Sequence, residues 1–274
     1  MALTIGTNVA SLAAQRQIGI TTRETGKAMQ QLGSGNRFAS GEDSADYAIS
    51  EHLRGQIQSM KAAQSNADNA ISFVQVAEGG LNEQNNILIR MRELAIQAAS
   101  DTIGDTEREF VNKEFTQITS ELDRIAKTTR FGTHHLLSGE GKEFQFQVGA
   151  DKGPDNVVKY NSETNTTASA LEVDGLSVAE QGDAEDALET IDAALTKVAG
   201  ARASFGAIQS RLQSVSDNSL TQIENLTAAH SRMADTDVAE AIAKMTHGRI
   251  KTEFQAAVLA QANQLPNLAM KLIS

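Results

Sequence analysis

The chain has no cysteine and no tryptophan, only two prolines (Pro154, Pro266) and only two tyrosines (Tyr47, Tyr160). Without cysteine there can be no disulfide, thiolate nucleophile or cysteine-based zinc site. Proline breaks the helical hydrogen-bond ladder, so proline-free runs over 1–153 and 155–265 fit long uninterrupted helices. Aromatic residues make up 4% of the 274 residues against 40% apolar. Ala, Leu, Ile, Val and Met must therefore supply the buried area, which suits helix-on-helix packing. Basic clusters are also missing. The net charge is −11 with a pI near 5.0, which argues against a nucleic-acid partner. No run nears the ~18 apolar residues of a membrane span. The start, "MALTIGTNVASLAAQRQ", has neither the basic nor the apolar region of a secretory signal, so export is expected to use another route.

What is present falls into three zones: helical periodicity to about residue 138, strand and turn signals over about 138–180, and helical periodicity again from about 183. In the first zone Ile5, Val9, Leu12, Gly19, Gly26 and Met29 approximate a heptad seam, whose glycines suggest close approach by another backbone. "LGSGNRFASGEDSAD" then breaks the pattern with Gly33, Gly35 and Gly41, and a new helix is expected from Asp43 or Ser44. That helix runs to about residue 100 with little interruption beyond Gly79-Gly80. Its stretch "LIRMRELAIQAAS" carries an apolar stripe of Leu88, Met91, Leu94, Ala95 and Ala98, flanked by Arg90 and Arg92, with Ile89 and Ile96 on the opposite side. After "DTIGDTERE", Asp105 or Thr106 can cap the next helix.

In the middle zone "EFQFQVGADKGPDNVVKY" alternates as a hairpin, and "LEVDGLSV" is a second candidate hairpin. In the last zone Ala187, Leu188, Ile191, Ala194, Leu195 and Val198 open a stripe that continues through Leu226. Asp237 and Glu240 form a capping box. Beyond it Phe254, Val258, Leu265 and Leu272 mark a terminal helix, in which Pro266 should free the carbonyl of Ala262 and kink or end the regular part. Each terminal seam is too sparse to be stable alone, so the two are expected to pack against each other or against copies of the chain.

Catalytic and ligand motifs do not assemble. "GSGNRFASG" lacks the Gly-Lys-Ser/Thr ending of a phosphate loop. "GADKGPDN" lacks the closing Glu of a calcium loop. His134-His135 sit in an expected loop without a third ligand, and no nucleophile elbow is present. No cofactor, metal or catalytic residue is expected, and the chain does not read as an enzyme.

Several long motifs, in order, resemble bacterial flagellin. They are "IGTNVASL", "LGSGNRFASGEDSADYAIS", "NADNAISFVQVAEGGLNEQNNILIRMRELAIQAAS", "EFTQITSELDRIAKTTRFGTHHLL", "ENLTAAHSRMADTDVAEAIAKMT" and "VLAQANQLPNLAMKLIS". Gly33 and Phe38 depart from the family pattern, as do "RFGTHHLL", His230 and Pro266-Asn267. The resemblance implies a mainly α fold: a long-helix coiled-coil hairpin of paired N- and C-terminal helices, a helical rod domain and a small β-hairpin region. It places residues 1–44 with 232–274 in a terminal inner-tube domain with a hinge at 33–44 (Gly33, Gly35, Gly41). Residues 45–231 form the rod, with the hairpin region at about 140–180 and no outer domains.

The implied function is a structural subunit that is exported unfolded through the flagellar export pathway and polymerises outside the cell into the swimming filament. The implied polymerisation seam is Ile5, Val9, Leu12, Phe254, Val258, Leu265 and Leu272. Implied partners are copies of itself, the cap and hook–filament junction proteins, an export chaperone and the host Toll-like receptor 5. The receptor and subunit contact set is Ile89, Arg90, Arg92, Leu94 and Glu114, with Ile89 standing where glutamine is usual. The resemblance also implies Ser162, Thr164, Thr166, Thr167 and Ser169 as candidate sites for O-glycosylation. The alternatives are a hook–filament junction protein or minor filament component, and a soluble coiled-coil adaptor, which would explain the heptads but not the ordered motifs.

Overall fold

The computed structural model describes residues 7–41, 43–139, 141, 143–161 and 164–273, with the backbone alone for residue 40 and residues 265–273. In order, the elements are α1 (Val9–Ser34), a 3₁₀ turn (Arg37–Ser40), α2 (Ser44–Ala98), α3 (Asp105–Thr128), β1 (Arg130–Phe131), β2 (His134–His135), β3 (Glu143–Gln147), a 3₁₀ turn (Pro154–Asn156), β4 (Val157–Asn161), α4 (Gln181–Ala234) and α5 (Val238–Ile273). They fall into two compact units, residues 1–57 with 224–274 and residues 58–223, and both boundaries lie inside helices, α2 and α4.

In the first unit α1 lies antiparallel along α5. Asn8 caps α1, its side chain accepting the Ser11 N–H at 3.0 Å, and Asp237 caps α5 by accepting the Glu240 N–H at 3.1 Å. The faces turned toward each other repeat at heptad spacing: Ser11, Ala14, Ile18, Thr21, Thr25 and Ala28 on one helix, and Ala241, Met245, Gly248, Thr252, Gln255, Leu259 and Ala262 on the other. The buried members are small: Ser11, Thr21 and Ala28 on α1, Ala241, Gly248 and Ala262 on α5. A Cβ at Gly248 would collide with the Thr25 side chain, so glycine is what admits this approach.

Several larger apolar residues lie outside the seam. Val9 is 67% exposed, Leu12 53%, Phe254 70% and Val258 59%. Ile5 lies outside the described residues, as do the side chains of Leu265 and Leu272. Pro266 does not end the regular part of the tail, since α5 continues to Ile273.

The linker after α1 is a fastened corner. Gly35 (φ 69°) and Gly41 (φ 74°) hold the left-handed conformation that stops a helical segment at little steric cost. Gly33 is still inside α1, which corrects its assignment to the hinge. The Thr236 N–H donates to the Gly35 carbonyl at 2.9 Å, and the Thr236 hydroxyl to the Gln31 carbonyl at 3.2 Å. Phe38 is buried edge-on against Tyr47, and Arg37 pairs with Asp46 at 2.9 Å.

In the second unit α2, α3 and α4 enclose a core of Leu81, Leu88, Met91, Leu94, Phe115, Leu122, Ile191, Phe205 and Leu212. Gly79-Gly80 does not interrupt α2. A Cβ at Gly80 would lie 2.7 Å from Thr129 Oγ1 and 2.9 Å from Leu137 Cδ1, so the residue makes room for the turn after α3. Strand β3 pairs antiparallel with β4, Phe144 opposite Tyr160 and Phe146 opposite Val158. The alternation turns Phe144, Phe146, Val158 and Tyr160 inward, where Phe73 of α2 meets Phe144 (4.9 Å between ring centroids), Phe146 and Tyr160. Several of the scarce aromatics, Phe73, Phe131, Phe144, Phe146, Tyr160 and Phe205, are thus gathered at one place, where large rings compensate for the small side chains used nearby.

Three local expectations change. His134-His135 form strand β2, paired with Arg130-Phe131. The cap of α3 is Gly104, whose N–H donates to Glu107 at 2.9 Å. "LEVDGLSV" forms turns rather than a hairpin, because α3 side chains replace a strand partner. Asn112 Oδ1 accepts the Val178 N–H at 2.9 Å and Asp123 Oδ1 the Ala168 N–H at 3.4 Å, while Leu171, Val173 and Val178 are buried.

Candidate functional site

The stripe and the arginines of "LIRMRELAIQAAS" resolve into distinct roles within the second unit. Met91, Leu94, Ala95 and Ala98 are in the core. Arg90 reaches α3, its guanidinium donating to Glu114 at 2.8 and 3.2 Å and to Glu93 at 3.0 Å. Arg92 reaches α4, donating to Asp192 at 2.7 Å. These carboxylates hold both guanidiniums above their ordinary pKa, chiefly through the hydrogen bonds to Glu114 and Asp192. Both pairs are solvent-exposed, so each ties α2 to a neighbour with a clamp that salt weakens. Ile89 (45% exposed) and Ile96 (50%) stay uncovered. Leu94 is 1% exposed and offers no surface to a partner, a correction to the contact set.

Two buried polar groups were not singled out from sequence. Gln84, 0% exposed, donates from Nε2 to the carbonyls of Thr166 (3.0 Å) and Leu122 (3.3 Å), joining α2, α3 and the segment after β4. The available signal was its place on the apolar stripe of Ala77, Leu81, Leu88 and Met91. Arg108, also buried, donates from Nε to the Ala98 carbonyl at 2.8 Å and from Nη1 to Asp105 at 3.1 Å. It thereby closes the end of α2 and fastens the loop to α3.

The Ser/Thr segment is uneven. Ser162 lies outside the described residues. The Thr164 hydroxyl is 3.1 Å from the Tyr160 hydroxyl, and Thr167 donates its hydroxyl to Asn165 at 2.8 Å. Ser169 is exposed. Thr166 is 2% exposed with its N–H on the Leu137 carbonyl at 2.9 Å, so a glycan cannot be attached there without opening the core, and it leaves the candidate group.

No group of three or more His, Cys, Asp or Glu side chains is placed to hold a metal ion among the described residues, and no described helix is long and apolar enough to cross a membrane. A paired-helix unit closed on small residues, with its larger apolar side chains turned out, defines a structural protein built to associate. Residues 5–142 match the family described as the bacterial flagellin N-terminal helical region, and residues 188–273 match the bacterial flagellin C-terminal helical region. The chain is 37% identical over 273 residues to a flagellin of Halalkalibacterium halodurans, covering 98% of this chain and 99% of the relative. It is 33% identical to a Bacillus subtilis flagellin over 98% and 99% of the two chains. Among solved structures, Bacillus cereus flagellin matches with a TM-score of 0.52 and 29% identity, covering 61% of this chain and 94% of that one.

The chain belongs to the bacterial flagellin family. It is a structural subunit of the extracellular flagellar filament that serves motility, and the hook–filament junction alternative is not favoured.

Proposed function

We propose that the outward apolar rows of α1 and α5, among them Val9, Leu12, Phe254 and Val258, are the faces on which copies of the subunit meet; Ile5, Leu265 and Leu272 join this set on sequence spacing alone. The supporting observation is that these large residues are left uncovered while small residues close the intramolecular seam. Burying such side chains against neighbours contributes ~1.5–3 kcal/mol each. A contact that repeats head to tail without closing a ring produces a helical fibre. On this reading residues 1–44 with 232–274 line the filament interior, 45–231 form the surrounding rod, and no outer domains are present. The free subunit is monomeric and polymerises when seeded or salted. Negative-stain microscopy after seeding tests this: tubes are expected, and a stable globular monomer that forms none would refute it.

The exposed set Ile89, Arg90, Arg92 and Glu114 serves as a rod-to-rod contact and as the surface bound by Toll-like receptor 5, with Leu94 holding the helix behind it. Undiminished receptor signalling by Arg90→Ala would refute the receptor role. The cap and junction proteins and an export chaperone are the remaining partners, and they meet the same apolar termini. Thr164, Thr167 and Ser169, together with Ser162, accept O-linked glycans. An intact mass equal to the bare sequence in protein from its native source would refute that.

A further inference from the structure

An antiparallel pair whose buried members are Ala, Gly, Ser and Thr, with Ile18, Met245 and Leu259 only half-buried among them, has little apolar packing with which to fix its register. Sliding α1 by one heptad, about 10 Å, exchanges mostly one small residue for another and leaves few large side chains to resist it. In coiled coils a polar group at a core position supplies the missing register information, because only one alignment satisfies it.

Here the covalent structure creates such a group. Each interior helix carbonyl accepts from the N–H four residues on, but residue 266 is proline and has none. The Ala262 carbonyl is thus denied its helical donor, and Ala262 is 5% exposed, so leaving it unpaired would be costly. Asn8 Nδ2 donates to it at 2.8 Å. The other half of the same amide, Oδ1, accepts the Ser11 N–H and caps α1. The amide orientation follows from this chemistry: flipped, oxygen would face the carbonyl and NH₂ would face an N–H. One residue along, the Ser11 hydroxyl donates to Asn263 at 2.8 Å, and further along Gln255 donates to the Thr21 hydroxyl at 2.9 Å. Pro266 is the single proline of α5, so Ala262 is the one interior carbonyl of that helix opened in this way.

We propose that Asn8 and Pro266 form a register lock: Pro266 opens the Ala262 carbonyl, and Asn8, while capping α1, finds it. The lock sets the axial position of α1 against α5 and therefore the spacing of the outward apolar rows. It rests on the proposed assembly through those rows, and Asn8 acts as a positioning residue for it.

The test is Asn8→Asp, which keeps the size and the cap acceptor but removes the donor and sets a carboxylate against the Ala262 carbonyl. The critical concentration for seeded polymerisation is expected to rise about tenfold, equivalent to ~1.4 kcal/mol. Adding Pro266→Ala returns an N–H to that carbonyl and relieves the cost of leaving it unpaired, so only the part of the loss due to that cost is expected to recover, while a purely capping role of Asn8, whose acceptor Asp keeps, predicts no loss at all. Register is read directly in this cysteine-free chain. A Cβ at residue 248 would lie 3.3 Å from Thr25 Cβ, near the ~3.5–4.5 Å of a disulfide, so Thr25→Cys with Gly248→Cys reports the native alignment. Cross-linking should fall severalfold with Asn8→Asp and stay low when Pro266→Ala is added, because the second change pairs the Ala262 carbonyl within its own helix and restores no contact that reads the alignment. The lock is overturned if Asn8→Asp matches the parent in either measurement, or if Pro266→Ala returns the native cross-link. Polymerisation of the parent chain tests the assembly reading separately, so either idea can fail without the other.

Discussion

Gly79 and Gly80 are adjacent, both in the interior of α2, and should respond oppositely to alanine. Each substitution gains ~1 kcal/mol of helix propensity, because alanine loses less backbone freedom than glycine on entering a helix. At Gly79 nothing stands within 4 Å of the new Cβ, so Gly79→Ala should stabilise by about that amount. At Gly80 the Cβ arrives 2.7 Å and 3.0 Å from Thr129 Oγ1 and Cγ2 and 2.9 Å from Leu137 Cδ1. Neither neighbour yields easily: the Thr129 hydroxyl donates to the Ile125 carbonyl at 2.8 Å, and Leu137 is fully buried. Overpacking of this kind costs ~1–3 kcal/mol, so Gly80→Ala should be neutral to about 2 kcal/mol destabilising. Since the propensity term cancels, the difference between the two variants isolates the packing cost. For a unit of this size each kcal/mol shifts the midpoint by about 2–4 °C. Thermal unfolding followed by far-UV circular dichroism measures it, and Thr129→Ala in the Gly80→Ala background should recover part of the loss. Equal stabilisation by Gly79→Ala and Gly80→Ala would refute the close approach of α2 to the turn after α3.

Phe73→Ala removes the ring on which Phe144, Phe146 and Tyr160 converge and should destabilise the second unit by about 3–5 kcal/mol, read by urea unfolding. Arg108→Leu should speed amide exchange over residues 99–104, measured by hydrogen–deuterium exchange, since it loses the bonds to the Ala98 and Asp105 oxygens. Glu143 is held below its ordinary pKa by the hydrogen bond and charge of Lys159 opposite it on β4. A lowered folded-state pKa means that this contribution is present above the unfolded value and is lost as pH falls through the folded one. The hairpin should therefore loosen in acid, and Lys159→Ala should return the Glu143 titration, followed by NMR, toward the ordinary carboxylate range.

The long helices were legible because proline is absent from all but the last of them and the apolar spacing is regular. The stripe Met91, Leu94, Ala95 and Ala98 is core as its periodicity indicates, and "EFQFQV" pairs as its alternation indicates. The terminal seam was harder. Periodicity identifies apolar faces but does not say whether a face is closed by the same chain or by another. The conspicuous residues Val9, Leu12, Phe254 and Val258 are those left open, while the inconspicuous Ser11, Thr21, Ala28 and Gly248 close the pair. Arg90 with Glu114 and Arg92 with Asp192 are 24 and 100 residues apart, so no local pattern carries their pairing. The role of the proline was partly visible: the freed Ala262 carbonyl follows from the covalent structure alone, whereas its occupant, 254 residues away, does not.

The seam between α1 and α5 also has a mechanical consequence. When a load passes from one of two antiparallel helices to the other, it arrives as shear along their common axis. Apolar side chains resist separation but yield to sliding, since the area they bury changes little with small displacements. Directional bonds such as those at Ala262, Asn263 and Thr21 weaken steeply once stretched or bent. A seam of small residues and polar rungs is therefore stiff against shear while remaining thin, the combination suited to transmitting twist.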